Sequence, residues 1–170
     1  MSKILTGFFV LVGLIMILAF MPVPNATAAT FVNKAPDFTM TVPSWGEVNS
    51  RNKNSVLRKA QDSFEVTSFD VAVADLPEGK TYKDLAKEVM DFLATQYMAK
   101  NFSTLYEREI KLKDGTPAYE LELKWDHPML VLYTYQLAVF KDKKMITVQV
   151  ASDKQISDKL KEIPMSLVFK

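Results

Sequence analysis

The sequence contains no cysteine, a single histidine and only five glycines among 170 residues. Without cysteine there is no disulfide framework, thiolate zinc site, iron–sulfur cluster or cysteine nucleophile. A bacterial lipoprotein, whose lipid sits on a cysteine behind the signal, is excluded on the same ground. The glycines are too few to hide a phosphate-binding loop, a dinucleotide-binding turn or a G-x-S-x-G elbow, and none of these motifs occurs. An excess of one charge is missing too. With 21 Lys and Arg against 20 Asp and Glu, the formal charge is +1, which gives no electrostatic footing for nucleic acid. What is present is an apolar fraction of 48%, enough for a packed core, in a length that suits one domain.

The first residues read as an address. Lys3 precedes an uncharged, largely apolar run to Met21, Pro22 and Pro24 break any helix, and Ala26-Thr27-Ala28 offers small residues where a signal peptidase cuts. The expectation is a cleaved secretory signal over 1–28 and one domain over 29–170, in a bacterial periplasm or outside the cell. The alternative is an uncleaved N-terminal anchor, since roughly eighteen apolar residues lie near the spanning threshold. Loss of Lys3 with the leader takes the formal charge from +1 to 0. No stable membrane anchor is expected after cleavage.

Beyond residue 30 the pattern is mostly strand. Phe38, Met40 and Val42 alternate with threonines up to Pro43, and strand-like stretches follow at 55–60 and 64–74. The polar segment 44–54 reads as a loop. After the turn Leu76-Pro77-Glu78-Gly79, residues 81–100 form the one strong helix. Thr81 and Asp84 make a capping box, and Leu85, Ala86, Val89, Phe92, Leu93 and Tyr97 make one apolar face. From Ser103 to Ala151 the chain reads as a four-strand meander, turning at Asp114-Gly115, at Asp126-His127-Pro128 and at Lys141–Lys144. A tight Asp114-Gly115 turn sets Ile110 opposite Tyr119 and Tyr106 opposite Leu123. A slip of one residue, bringing Glu107 opposite Leu121, mixes apolar and polar faces. The strand 130–140 is apolar on both sides, hence central and covered twice. Residues 152–163, with Ile156, Leu160 and Ile163, supply the second cover. The expected fold is α+β, an antiparallel sheet with helices on both faces.

The opening strand Phe38-Thr39-Met40-Thr41-Val42-Pro43-Ser44-Trp45, the Leu76–Thr81 turn into an amphipathic helix, and the ending Ile163-Pro164-Met165-Ser166-Leu167-Val168-Phe169 together resemble the PsbP-like superfamily. It includes the photosystem PsbP proteins, a Ran-binding import factor and DcrB-type envelope proteins. The resemblance implies an α/β/α sandwich and a habit of binding or stabilising other macromolecules rather than catalysing. It carries no functional residue over by position.

Residue by residue, the chemistry is sparse. His127, between Asp126 and Pro128, reads as a solvated turn residue, because a triad needs its carboxylate to reach the imidazole from across the fold. In the register read above, Glu109 opposes Glu120 and Glu107 opposes Glu122 on one face. Like charges so placed destabilise a sheet unless something cationic answers them. The candidates are Lys111, Lys124, Lys154, Lys159 or Lys161 from within, a basic partner, or calcium, for which a flat strand face offers few ligands. Tyr133 and Tyr135 share that face, beside Glu122 and Glu120. Trp45, in the first loop, is either an exposed anchor or a lid on the sheet edge. No cofactor and no metal are implied.

The expected function is a non-enzymatic periplasmic protein that binds or stabilises an envelope protein through Trp45, Glu107, Glu109, Glu120, Glu122, Tyr133 and Tyr135. The alternative is a carrier of a small ligand or lipid in the gap between helix 81–100 and the sheet.

Overall fold

A computed structural model describes residues 29–42, 46–48, 55–62 and 65–170, with side-chain surroundings given for 30–42 and 67–170. The expected leader over 1–28 lies outside the described residues. Two antiparallel sheets make up most of the fold. The smaller has the order β1-β2-β10, from β1 (Ala29–Lys34), β2 (Asp37–Val42) and β10 (Val168–Phe169). The larger has seven strands in the order β3-β4-β5-β9-β8-β7-β6. These are β3 (Gly46–Val48), β4 (Ser55–Asp62), β5 (Glu65–Asp75), β6 (Lys100–Lys111), β7 (Pro117–His127), β8 (Leu130–Lys141) and β9 (Lys144–Ser152). With the helices α1 (Leu85–Tyr97) and α2 (Asp158–Lys161), the fold is α+β, as expected. Part of the segment read as a loop is strand β3, and β1 precedes the first strand that the alternation revealed.

Helix α1 covers one face of the large sheet. Asp84 Oδ2 accepts from the Thr81 backbone N–H and hydroxyl at 3.2 and 2.9 Å, anchoring a 3-10 turn, Tyr82–Asp84, that leads into the helix. Leu85, Val89 and Leu93 are buried against Leu121, Leu123 and Trp125 of β7 and Ala138 of β8, while Lys87 and Asp91 pair on the outer surface. Each such aliphatic side chain contributes about 1.5–3 kcal/mol by leaving water. Met98 ends the helix in the left-handed conformation, φ +55°, and its N–H donates to the Leu93 carbonyl.

The opposite face is covered differently from expectation. Phe69, Val71, Leu137, Val139, Val148 and Val150 pack against Phe38, Met40 and Val42 of β2, and against Leu167 and Phe169. The helix expected over 152–163 is a single turn. Ser157 caps it, its Oγ accepting from Leu160 N at 3.4 Å, and Pro164 stands seven residues later, starting a 3-10 turn. Ile156, Leu160 and Ile163 still reach the core from this short segment. The β2 strand, not a long helix, fills most of the layer.

The β6–β7 register is the one the sequence disfavoured. Glu107 pairs with Leu121, Arg108 with Glu120 and Glu109 with Tyr119. The cause is loop length. Leu112 N donates to Thr116 O and Gly115 N to Leu112 O, both at 2.9 Å, so the loop holds three residues, Lys113-Asp114-Gly115, rather than two. Gly115, at φ +84°, takes the left-handed position that closes such a loop. One added residue swaps the faces of β6 from Tyr106 to Lys111, and irregularities between Thr104 and Tyr106 and between Lys100 and Ser103 shift the register again toward its start. At Lys141–Lys144, by contrast, a two-residue loop forms with both Asp142 and Lys143 at positive φ. Strand β8 lies between β7 and β9 and is buried on both faces, as its composition required.

Candidate functional site

The register decides where the expected site residues go. Glu120 and Glu122 point toward the small sheet, while Glu107 and Glu109 share the α1 side with Leu121 and Tyr119. The four glutamates therefore divide two and two, and no face presents all four. Glu107 Oε2 accepts from Tyr119 Oη at 2.9 Å, and Glu107 and Glu109 are both exposed.

Glu120 and Glu122 are 4% and 1% exposed. A buried carboxylate must find partners or change its protonation. Glu120 has both oxygens engaged, Oε2 by Arg108 Nε at 2.7 Å and Oε1 by Tyr135 Oη at 2.8 Å. Glu122 Oε2 accepts from Lys161 Nζ at 2.6 Å, and its Oε1 has no partner. The Lys161 ammonium and the Arg108 guanidinium both lie near the Tyr106 ring, 5.0 and 5.4 Å from its centroid. Burial favours neutral Lys161, but the hydrogen bond and charge of Glu122 more than reverse this and hold its ammonium above the ordinary lysine range. Burial, then the bond to Glu120, pushes the Tyr135 phenol far up, so it stays a donor.

This cluster is an internal clasp rather than a docking face. Lys161 was among the cations expected to answer the glutamates; Arg108 was not, though its position opposite Glu120 is what the three-residue loop produces. Tyr135 is fully buried, and Tyr133 lies half-buried opposite Lys124, whose ammonium is 6.0 Å from its ring. The tyrosines thus sit one step from where the sequence placed them: Tyr135 opposes Glu122, and Tyr133 opposes Lys124. Among the described residues, no group of three or more His, Asp and Glu side chains is placed to hold a metal ion. His127 Nδ1 accepts from Met129 N at 3.3 Å within the turn, while Asp126 accepts from Asn101 Nδ2 at 2.8 Å. Trp45 lies outside the described residues.

Two features escaped the sequence reading. Strand β6 is the last strand of the large sheet, and most of its twelve residues are exposed, Leu105 at 41% among them. Near its start, the Asn101–Asp126 bond ties β6 to the last residues of β7, close in sequence to Met98 and Met129, each 63% exposed, and Val131, 40% exposed. The second feature is Asp70, on β5. It is 9% exposed, its Oδ1 has no partner, and burial, only partly offset by the Val71 backbone N–H, pushes its carboxyl up to about 8. The signal was a charge inside the apolar run Phe69-Asp70-Val71-Ala72-Val73.

No family model and no curated protein matches the chain. Solved structures do resemble it. The Ran-binding protein Mog1p of Saccharomyces cerevisiae is similar over 85% of this chain and 96% of its own, at 9% identity and a TM-score of 0.56. The Pseudomonas aeruginosa protein PA94, of unknown function, is similar over 73% of this chain and 81% of its own, at 13% identity and a TM-score of 0.47. At 9% identity the likeness to Mog1p is one of fold.

Proposed function

We propose that the protein is an exported, non-enzymatic module that binds or stabilises a protein partner in the bacterial cell envelope. On this reading its fold is a variant of the PsbP-like sandwich, with α2 as a much-shortened helical layer. The observation that carries the reading is the open edge of β6. Among the described residues no strand pairs with its outer N–H and C=O groups, and a long exposed edge is where a partner strand can add. Exposed Leu105 on β6, with Met98 and Met129 near its start, offers apolar purchase. Glu107 and Glu109 stay in the proposed surface because both are exposed. Glu120, Glu122 and Tyr135 leave it because all three are buried. Fold likeness to a Ran-binding protein raises the expectation of a protein partner and says nothing of which one.

A photo-crosslinking residue at position 105 or 107, introduced into the exported protein in its source cells, tests this. One dominant envelope protein should be captured from β6 and not from position 87 on the outer side of α1. Equal background from both positions overturns the edge as the contact surface.

A second reading, a small-ligand carrier, is favoured by a separate observation. Beside α1 part of the sheet floor is polar, and the Asp70 carboxyl within it is buried with Oδ1 unpartnered.

A further inference from the structure

The two faces of β5 and β9 differ in kind. Toward the small sheet they carry large apolar side chains, Phe69, Val71, Val148 and Val150 among them. Toward α1 the same strands carry Ser68, Asp70, Ala72, Thr147, Gln149 and Ala151, small or polar and, apart from Asp70, half-buried. Met145, nearer the start of β9, is the large apolar exception on this side and packs in the cluster under α1.

Within that floor the register sets Asp70 opposite Gln149, and Gln149 opposite Gln136 on β8. A carboxyl and two carboxamides thus lie side by side across three strands, about 5 Å apart from strand to strand. Asp70 accepts from the Val71 N–H, but its Oδ1 is buried and unpartnered. Gln136 is only 3% exposed and Gln149 is half-buried, so the open Asp70 oxygen has two carboxamides as its neighbours along the floor. Buried polar groups left open are uncommon and expensive, and a bound molecule is one way they are satisfied. At the end of α1, Tyr97 is close enough for the charge of Asp70 to act on its phenol, and its ring centroid lies 6.3 Å from that of Trp125. The open acceptor is a carboxylate oxygen, and the Tyr97 ring stands beside it. N–H donors on a positive centre match that set.

We propose that Asp70, Gln149 and Gln136 form the floor of a binding site for a small organic cation bearing N–H donors, beside the C-terminal end of α1. The proposal rests on the carrier reading of this interlayer and narrows it to one class of ligand. Because Asp70 must ionise to bind a cation, affinity rises with pH about tenfold per unit below pH 8 and levels off above it. Among the side chains described, the groups facing Asp70 are Tyr97 from α1 and uncharged Thr147, Gln149 and Ala151 on β9; on β4 the backbone register sets Leu57 opposite Asp70, with Ser55 and Lys59 at the diagonal positions.

Titration calorimetry of the full chain with ethanolammonium chloride, and with tetramethylammonium as a control lacking N–H donors, tests the site. Saturable binding of ethanolammonium alone, weakened at least tenfold and stripped of its pH slope in Asp70→Asn, is the expected result. Gln149→Leu should weaken binding while keeping the slope. Ethanolammonium binding that Asp70→Asn leaves unchanged overturns the site. Absence of saturable heat across pH 6 to 9 also overturns it, and the protein purified from its source cells then separates the two ideas. A lipid or neutral molecule in its denaturing mass spectrum preserves the carrier reading without the cation. A clean spectrum, with Asp70→Leu raising the melting temperature, disposes of both.

Discussion

Removing the Lys161 ammonium should cost far more than removing a surface charge. Glu122 is 1% exposed, has one oxygen already unpartnered, and gives the other to Lys161 at 2.6 Å. In Lys161→Met the stem keeps its volume but the carboxylate loses its single cation in a site water scarcely reaches. Breaking a buried pair from one side costs about 3–5 kcal/mol, whereas an exposed pair is worth about 0–1 kcal/mol. At about 2–4 °C per kcal/mol for a chain of this size, the melting temperature should fall by on the order of 10 °C. Glu122→Gln should cost less, about 1–2 kcal/mol, since the freed ammonium can turn outward. The double substitution Lys161→Met/Glu122→Leu should return to within about 1 kcal/mol of the starting protein. Urea unfolding of the four proteins closes the cycle. The raised Lys161 value means the pair stabilises the fold at neutral pH and weakens only as pH climbs past the ordinary lysine value of 10.5. A cost below about 1 kcal/mol for Lys161→Met would refute the view that this pair is desolvated.

Other expectations follow from single residues. Asp70 holds its proton to about pH 8 when folded and to 3.8 when unfolded, so the folded state binds more protons between those values. Stability relative to Asp70→Asn should therefore fall as pH rises from about 4 to 8, by up to about 1.4 kcal/mol per unit, then flatten. Thermal melts of both proteins across that range check the sign. Gly115→Ala should cost about 1 kcal/mol in urea unfolding, from backbone strain alone, because a Cβ there meets nothing within 4 Å. Lys143→Gly should add about 0.5–1 kcal/mol, since Lys143 holds φ +59° in a two-residue loop that glycine suits. Glu109→Lys should weaken partner capture by β6 while moving the melting temperature by less than about 2 °C, its side chain being exposed.

Local signals were the legible ones. The Thr81–Asp84 cap, the spacing of Leu85, Val89 and Leu93, and the two-sided apolar run of β8 each depend on neighbours in sequence. The site was less legible because one residue of loop length governs it. Asp114-Gly115 serves a two-residue or a three-residue loop equally well, and the choice exchanges the faces of β6. A clue lay in the charges: the register that seemed cleaner set Glu109 against Glu120, while the alternative offers Arg108 to Glu120. The period of residues 156–163 was read rightly as a buried stripe, but Ser157 and Pro164 bracket too few residues for a long helix. Asp70 passed unnoticed because alternation sorts apolar from polar without showing whether a polar residue ends up beneath a helix.

The small sheet bears on the order in which the molecule can assemble. Strand β10 joins β2 by setting Val168 beside Thr39 and Phe169 beside Phe38, with Lys170 N donating to Asp37 O at 3.1 Å and Phe169 N to Asp114 Oδ2 at 2.9 Å. Phe38 is fully buried, and the Phe169 ring packs on it at 5.8 Å. Contacts so distant along the chain close slowly, after the loop entropy of everything between them has been overcome. The four-strand meander and α1, by contrast, are built from near neighbours and can form early. During synthesis, Phe38 waits without its β10 partner until Phe169 emerges, which makes that interval the one in which a chaperone has something to hold.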